Sequence, residues 1–277
     1  MRLLHPDGQT VYVAEILPAR PENDLRSLIG EIENYSGDVS SLSLSLGTSL
    51  ASDLAGSVGM RRRLQAALAA RDLEVVTFRA SVPHRTWRTW WTYLLDLARV
   101  LADLLHEDTT HGSISTTVPA IGEDPWEAAA RELDDLGSGL TEIAWHTGSF
   151  VRVGCELGEG TLLTTVDEAV QLLGQVDPAR IGLCLDPGPL LDAGDTAPQA
   201  LVKLRRANLS VVKVHLDGNA SSRALLGALL GGGHPLCDHY EVSTPKALVA
   251  AQEEFAVLGL DGAGDRPMPG RGRPAAA

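Results

Sequence analysis

Three short apolar runs in the second half of the chain each close on a side chain that can hold a metal ion or move a proton. Phe150 to Glu156 (FVRVGCE) and Arg180 to Asp186 (RIGLCLD) end in carboxylates, and Ser210 to Leu216 (SVVKVHL) carries an imidazole, His215, next to its end. Two carboxylates and an imidazole form a mixed oxygen and nitrogen donor set of the kind that takes Mn²⁺, Mg²⁺ or Zn²⁺. An ion held there polarises a carbonyl or fixes a diol in place. A carboxylate within reach of a carbon-bound proton can move it. Each residue also has a plainer use. Taken singly, such groups more often cap helices or pair with cations, and Asp186, directly before Pro187, can simply order a turn.

The set works only if the three runs lie side by side with their ends converging. Side chains two apart share a strand face. If Glu156 points inward, so do Gly154 and Arg152; Cys184 and Gly182 go with Asp186, and Lys213 with His215. Glu156 and Lys213 are then the candidate catalytic residues, and Glu156, Asp186 and His215 the candidate metal ligands. Arg152, Ser115 and His84 are the candidate substrate contacts. Buried charges must be paired, so Arg152, Glu156, Asp186 and Lys213 read equally well as an ionic network that needs no metal. Cys155 alternates with Glu156 and faces the other way, as an inert core thiol.

The elements that must position these residues alternate along the whole chain. Strand-type runs cover Val11–Ala14, Leu42–Leu46, Leu73–Phe78 and Gly112–Thr116, then the three runs above, then His239–Val242. Amphipathic stretches lie between them: Pro21–Tyr35, Ser49–Arg71, Thr86–His106, Pro125–His146, Thr164–Gln175, Pro198–Ala207 and Ala220–Leu230. In the third of these, Trp90, Leu94, Ala98, Leu101 and Leu105 recur at helical spacing, with Trp87 and Trp91 beside them. Repeated strand–helix–strand units imply parallel strands with crossover helices. No GxGxxG follows the first strand, which argues against an open dinucleotide-binding sheet. Polar residues at successive strand ends favour a (β/α)8 TIM barrel, whose site lies at the carboxyl ends of its strands. Its weak point is the eighth strand, for which HYEV is the only candidate.

A chain of 277 residues suits one such domain. Residues 1–258 are expected to form the barrel. The Gly/Pro/Arg-rich stretch 259–277 is expected to be a disordered tail, having no apolar face to bury. A net charge of −13 repels phosphate backbones and anionic lipid, so nucleic acid and membranes are poor partners. Three cysteines and no signal-peptide or membrane-length apolar run point to the cytoplasm.

Several segments, in order, resemble the EboE metabolite traffic proteins of the xylose-isomerase-like TIM-barrel superfamily. GSISTTVP (Gly112 to Pro119) resembles that family's GSIST-x-P segment. LEVVTF and WTYLLDLARVLADLL resemble the strand and helix around its Asn-Gly-Phe-Pro-Tyr segment. VGCELGEG, IGLCLDPGP and VVKVHL resemble its later strand ends, so the likeness spans roughly residues 8 to 230. It implies a role in moving or processing a small metabolite, such as a terpenoid precursor, together with proteins of one biosynthetic cluster. The wider superfamily contains metal-dependent sugar isomerases and epimerases and an endonuclease, with Glu, Asp, His and a further Glu as ligands. Glu156, Asp186 and His215 match the first three, and Glu241 is the only candidate for the fourth. Arg79-Ala80-Ser81-Val82-Pro83 replaces the Asn-Gly-Phe-Pro-Tyr segment, and Pro189 stands where a His is expected, as in a divergent or truncated member. These losses place a non-catalytic metabolite carrier slightly ahead of a metal-dependent isomerase or epimerase. An endonuclease would need more histidines and a basic face.

Overall fold

The computed structural model describes residues 1–17, 24–80 and 86–262. The chain opens with an antiparallel hairpin, β1 (Arg2–Leu4) and β2 (Thr10–Ile16), turned through Gly8 at φ +95°. Seven further strands run parallel to β2, each beside the one before it: β3 (Ser41–Leu44), β4 (Glu74–Ala80), β5 (His111–Thr117), β6 (Phe150–Glu156), β7 (Ile181–Leu185), β8 (Val211–Leu216) and β9 (His239–Val242). The last strand pairs back onto the first barrel strand, from Tyr12 opposite His239 to Glu15 opposite Val242. HYEV is therefore the closing strand, and the eight parallel strands from β2 to β9 form a closed (β/α)8 barrel.

The helices wrap the outside: α1 (Leu25–Glu33), α2 (Thr48–Gly56), α3 (Val58–Ala69), α4 (Trp87–Leu104), α5 (Pro125–Thr147), α6 (Val166–Leu173), α7 (Pro187–Asp192), α8 (Ala197–Arg206), α9 (Ala220–Leu230) and α10 (Pro245–Val257). In α4 the expected apolar face is buried, and Thr86 starts the helix by accepting from the Thr89 amide. Trp90 packs inward, with its indole N–H shared between Thr116 Oγ1 and the Thr117 carbonyl, 3.2 Å each. The single helix expected over Ser49–Arg71 is instead two, because the Ser57 hydroxyl caps the Met60 amide and starts a new helix there. Among the described residues no helix is long and apolar enough to cross a membrane.

The end of the domain also differs from expectation. Gly259 turns the chain at φ +78°, Leu260 is buried, and β10 (Asp261–Gly262) pairs antiparallel with β1. Burial of Leu260 draws the first four residues of the expected tail into the fold. The remainder of that tail, 263–277, lies outside the described residues.

The two faces of the barrel wall are chemically distinct. Between strands and helices lies one large aliphatic core, with Leu42, Leu44, Phe78, Ile114, Val153, Leu183 and Val214 pointing into it. Cys155 sits in that core, and burial pushes its thiol up to about 12, so it is inert as expected. The inner face is polar: Ser43, Thr77, Ser113, Lys213, His239 and Glu241 are all buried, with a small apolar cluster of Tyr12, Ala14 and Val76. Strands buried on both faces usually read as unbroken apolar runs. Here they alternate, as in Ser41–Leu44 (SLSL).

Space inside is set by glycines. Gly154 and Gly182 face each other on β6 and β7. A Cβ on Gly182 would fall 2.4 Å from the Ser210 carbonyl oxygen and 2.9 Å from Val212. Backbone cannot yield as a side-chain tip can, so Gly182→Ala is expected to cost about 1–3 kcal/mol. Urea denaturation would measure this; an unchanged midpoint would contradict the packing described.

Candidate active site

The carboxyl ends of β4, β6, β8 and β9 bring Arg79, Glu156, His215 and Glu241 together at the barrel mouth. His215 Nε2 lies 3.2 Å from Glu241 Oε1 and 3.8 Å from Glu156 Oε1. Its other nitrogen, Nδ1, faces Asp186 Oδ2 at 3.9 Å. Cys184 Sγ and Ser115 Oγ lie 3.5 and 3.3 Å from Nε2. Arg79 approaches both glutamates, at 3.9 Å from Glu156 Oε1 and 3.8 Å from Glu241 Oε1. Those distances are too long for hydrogen bonds. Among the described residues, Glu156 Oε1 and Glu241 Oε1 are buried acceptors without a hydrogen-bond partner.

Beneath the mouth lies an ion pair on the barrel axis. Lys213 is fully buried, and its Nζ lies 2.5 Å from Glu241 Oε2. It also donates to the Phe78 carbonyl and to Ser115 Oγ, both at 3.2 Å. An ammonium has three N–H groups, and all three are used. Ser43 donates a further hydrogen bond to Glu241 Oε2. Burial alone would raise the Glu241 pKa, but Lys213, His215 and these hydrogen bonds outweigh it and hold it down at about 2. His215 goes the other way for a base: burial, opposed by Glu241 and aided by Lys213 and Arg79, pushes it down to about 3. At neutral pH the mouth holds an ionised Glu241 beside a neutral imidazole with a lone pair to offer.

The sequence-based candidates divide accordingly. Glu156, His215 and Ser115 meet at the mouth, and Glu241 joins them. Asp186 lies on the far side of the imidazole and half serves the plainer use, since its Oδ1 accepts the Gly188 amide at 3.0 Å and caps α7. Burial raises its pKa. Lys213, expected as a catalytic residue, has all three N–H groups engaged and sits below the mouth. Arg152 is a correction. It precedes Glu156 by four residues on β6, about 13 Å at the usual strand rise. Its guanidinium is spent at the amino end, on the carbonyls of Pro178 and Ala179 and on Ser210 Oγ. Strand parity assigns a face and says nothing of depth, so Arg152 leaves both the substrate contacts and the expected ionic network. His84 falls outside the described residues. Arg79 was missed; its only signal was its place at the end of a strand, where a cation beside converging carboxylates is called for.

The donor set fits a divalent cation. Glu156, Cys184 and His215 each offer a ligand atom, all within 4.8 Å of one another. Glu241 Oε1 adds a second oxygen close to His215. In the metal-free site, burial raises the Cys184 pKa well above its ordinary value. The carboxylates and the imidazole are donors of the kind that take Mn²⁺, Mg²⁺ or Zn²⁺. Two partnerless buried carboxylate oxygens are the kind of acceptor that a cation satisfies.

No protein-family model and no curated protein matches the chain. Solved structures do. A D-tagatose 3-epimerase-like protein superposes with a TM-score of 0.60 at 15% identity, over 90% of this chain and 98% of that one. A 3-keto-D-glucoside 4-epimerase from E. coli gives a TM-score of 0.57 at 13% identity, over 90% and 99%. A xylose isomerase domain protein from Alicyclobacillus acidocaldarius gives 0.56 at 13%, over 90% and 100%. At such identities the likeness speaks for the fold alone: a (β/α)8 barrel.

Two tests follow from the ion pair and the imidazole. Lys213→Met strands a buried carboxylate and should cost about 3–5 kcal/mol, whereas Lys213→Met with Glu241→Gln should recover much of that loss. Equal penalties in urea denaturation would refute the pairing. In chelator-treated protein the unfolded chain protonates His215 below pH ~6.5, while the fold resists until about 3. Stability should therefore fall with pH across that window, by up to about 1.4 kcal/mol per unit. Protonation of Glu241 should remove more stability between pH ~4.5 and 2. His215→Gln should flatten the upper part of the curve; parallel curves would contradict the assignment.

Proposed function

We propose that this chain is a divalent-metal-dependent isomerase or epimerase acting on a small sugar or polyol. The observation that carries the reading is the pair of buried, partnerless glutamate oxygens turned toward a neutral imidazole at the carboxyl end of the barrel. The sugar epimerases among its structural neighbours support the same general kind of activity. Glu156, His215 and Glu241 would hold the ion, with Asp186 flanking His215. When bound, the ion supplies Lewis-acid polarisation of a carbonyl or of adjacent hydroxyls.

The residues divide the remaining work. Glu156 and Glu241 enter from strands three apart around the ring and approach a substrate from two sides. Glu241 is tied to Lys213 and kept ionised, which makes it a weak base and a firm anchor. Glu156, with Arg79 at 3.9 Å, is the carboxylate assigned to accept a proton from the carbon beside a carbonyl. Return of that proton to the neighbouring carbon, with the hydroxyl proton passing between the two oxygens, gives an isomer; protonation of the same carbon from the opposite face by water, with Glu156 losing its proton to solvent, gives an epimer. Arg79, at 3.8–3.9 Å from both carboxylates, is placed to meet negative charge developing on the substrate oxygen. Lys213 acts through Glu241 and touches no substrate.

The purified chain with Mn²⁺, Co²⁺ or Mg²⁺ should exchange the proton beside the carbonyl of a ketohexose or ketopentose for solvent deuterium, read by NMR. Glu156→Gln should lower that exchange at least about a hundredfold, the lower range for loss of a positioned proton carrier, while leaving the fold intact. Binding of such a sugar without exchange, under any of these metals, would overturn the proposal. It would favour instead the metabolite-carrier role that the EboE-like segments imply.

A further inference from the structure

The amino end of the barrel holds a second concentration of titratable side chains that the mouth does not use. His111 opens β5, His239 opens β9, and Asp238 directly precedes it. These strands stand on opposite walls of the ring, four apart, so their side chains meet on the axis. The two imidazoles stack, with centroids 4.7 Å apart and planes within 11°. Asp238 Oδ1 lies 3.3 Å from His111 Nε2. One ligand atom from each of the three residues falls within 4.8 Å of the other two.

The hydrogen bonds behind His239 dictate which of its nitrogens carries the proton. Thr77 Oγ1 donates to the Ser113 carbonyl at 3.0 Å, an atom that can only accept. The Thr77 oxygen must then accept from Ser113 Oγ, 2.8 Å away, which spends the one serine proton. Ser113 Oγ is left as the acceptor for His239 Nδ1, also at 2.8 Å. His239 therefore holds its proton on Nδ1 and presents a bare lone pair on Nε2. Among the described residues that Nε2 is buried without a hydrogen-bond partner, while His111 Nε2 faces Asp238 Oδ1. An imidazole fixed by a hydrogen bond through one nitrogen, with the other left bare, is the usual arrangement of a metal-binding histidine.

We propose that His111, Asp238 and His239 form a second metal site, for Zn²⁺ or a similar borderline ion, at the amino end of the barrel. Two imidazoles and one carboxylate match Zn²⁺, Co²⁺ or Ni²⁺ better than Mg²⁺, which prefers an all-oxygen shell. Bound there, the ion ties β5 to β9 across the axis and satisfies the bare His239 Nε2. Its role is to brace the barrel wall beneath Glu241, two residues further along β9. The plainer alternative is a metal-free plug, with His111 and Asp238 as a simple ion pair under a stacked ring.

The test uses the full chain, stripped with chelator, reloaded with Zn²⁺, desalted and assayed for metal per chain, with Co²⁺ spectra and thermal midpoints as further readouts. Glu156→Gln, which disables the mouth, should still retain one Zn²⁺ per chain. His111→Gln and Asp238→Asn should each lose that ion and its thermal stabilisation. Ser113→Ala, which releases the fixed tautomer while sparing all three ligands, should weaken Zn²⁺ binding by about 10–100-fold. The proposal fails if Glu156→Gln retains no Zn²⁺. It also fails if His111→Gln and Asp238→Asn, folded by circular dichroism, bind as much Zn²⁺ as the parent. If either of these two does not fold, the Ser113→Ala affinity decides, and an unchanged value overturns the proposal.

Discussion

A lysine and a glutamate fully removed from water, 2.5 Å apart on the axis of a closed barrel, set the terms for everything above them. Removing two charges from water costs several kcal/mol each. The cost is met only because Lys213 finds three acceptors and Glu241 Oε2 receives both Lys213 and Ser43. With Oε2 committed downward, Oε1 is turned toward the mouth and left without a hydrogen bond. The ion pair thus fixes the direction in which Glu241 offers its remaining lone pairs. It also keeps Glu241 ionised.

That arrangement belongs to a barrel whose interior departs from the usual packed aliphatic layers. Serines and threonines line one face of the strands, and glycines at 154 and 182 remove side chains where β6, β7 and β8 crowd together. The polar interior sorts into two ends. Glutamates, His215 and Arg79 gather at the carboxyl end; His111, Asp238, His239 and Arg152 gather at the amino end, with Ser113, Ser115 and Lys213 between. Since apolar burial is left to the outer shell of leucines, the inner residues are released from packing duty and answer to hydrogen bonding and charge.

Much of this was legible in one dimension. The alternation of strand and helix gave the barrel, and the apolar face of α4 and the inert Cys155 followed from periodicity alone. Glu156 and His215 were recognisable because each closes an apolar run. Glu241 was harder, since a four-residue strand carries almost no periodic signal and its inward face is decided by pairing with β2 and β8. The depth error at Arg152 has the same origin: a period of two tells inside from outside and leaves height along the barrel open. α7 escaped notice because a six-residue helix starting at Pro187 is too short to show an apolar stripe.

Local patterning by itself determined the element order, the alternation of the strand faces and the identity of three of the residues at the mouth, because side-chain alternation and apolar spacing are properties of neighbouring positions. Only closure of the sheet decided the rest. Which nitrogen of His215 meets which carboxylate, that Lys213 spends all its protons beneath Glu241, and that His111 stacks on His239 are contacts between residues 26 to 128 positions apart. Such contacts exist once the ninth strand pairs with the second, and short-range sequence carries no record of them.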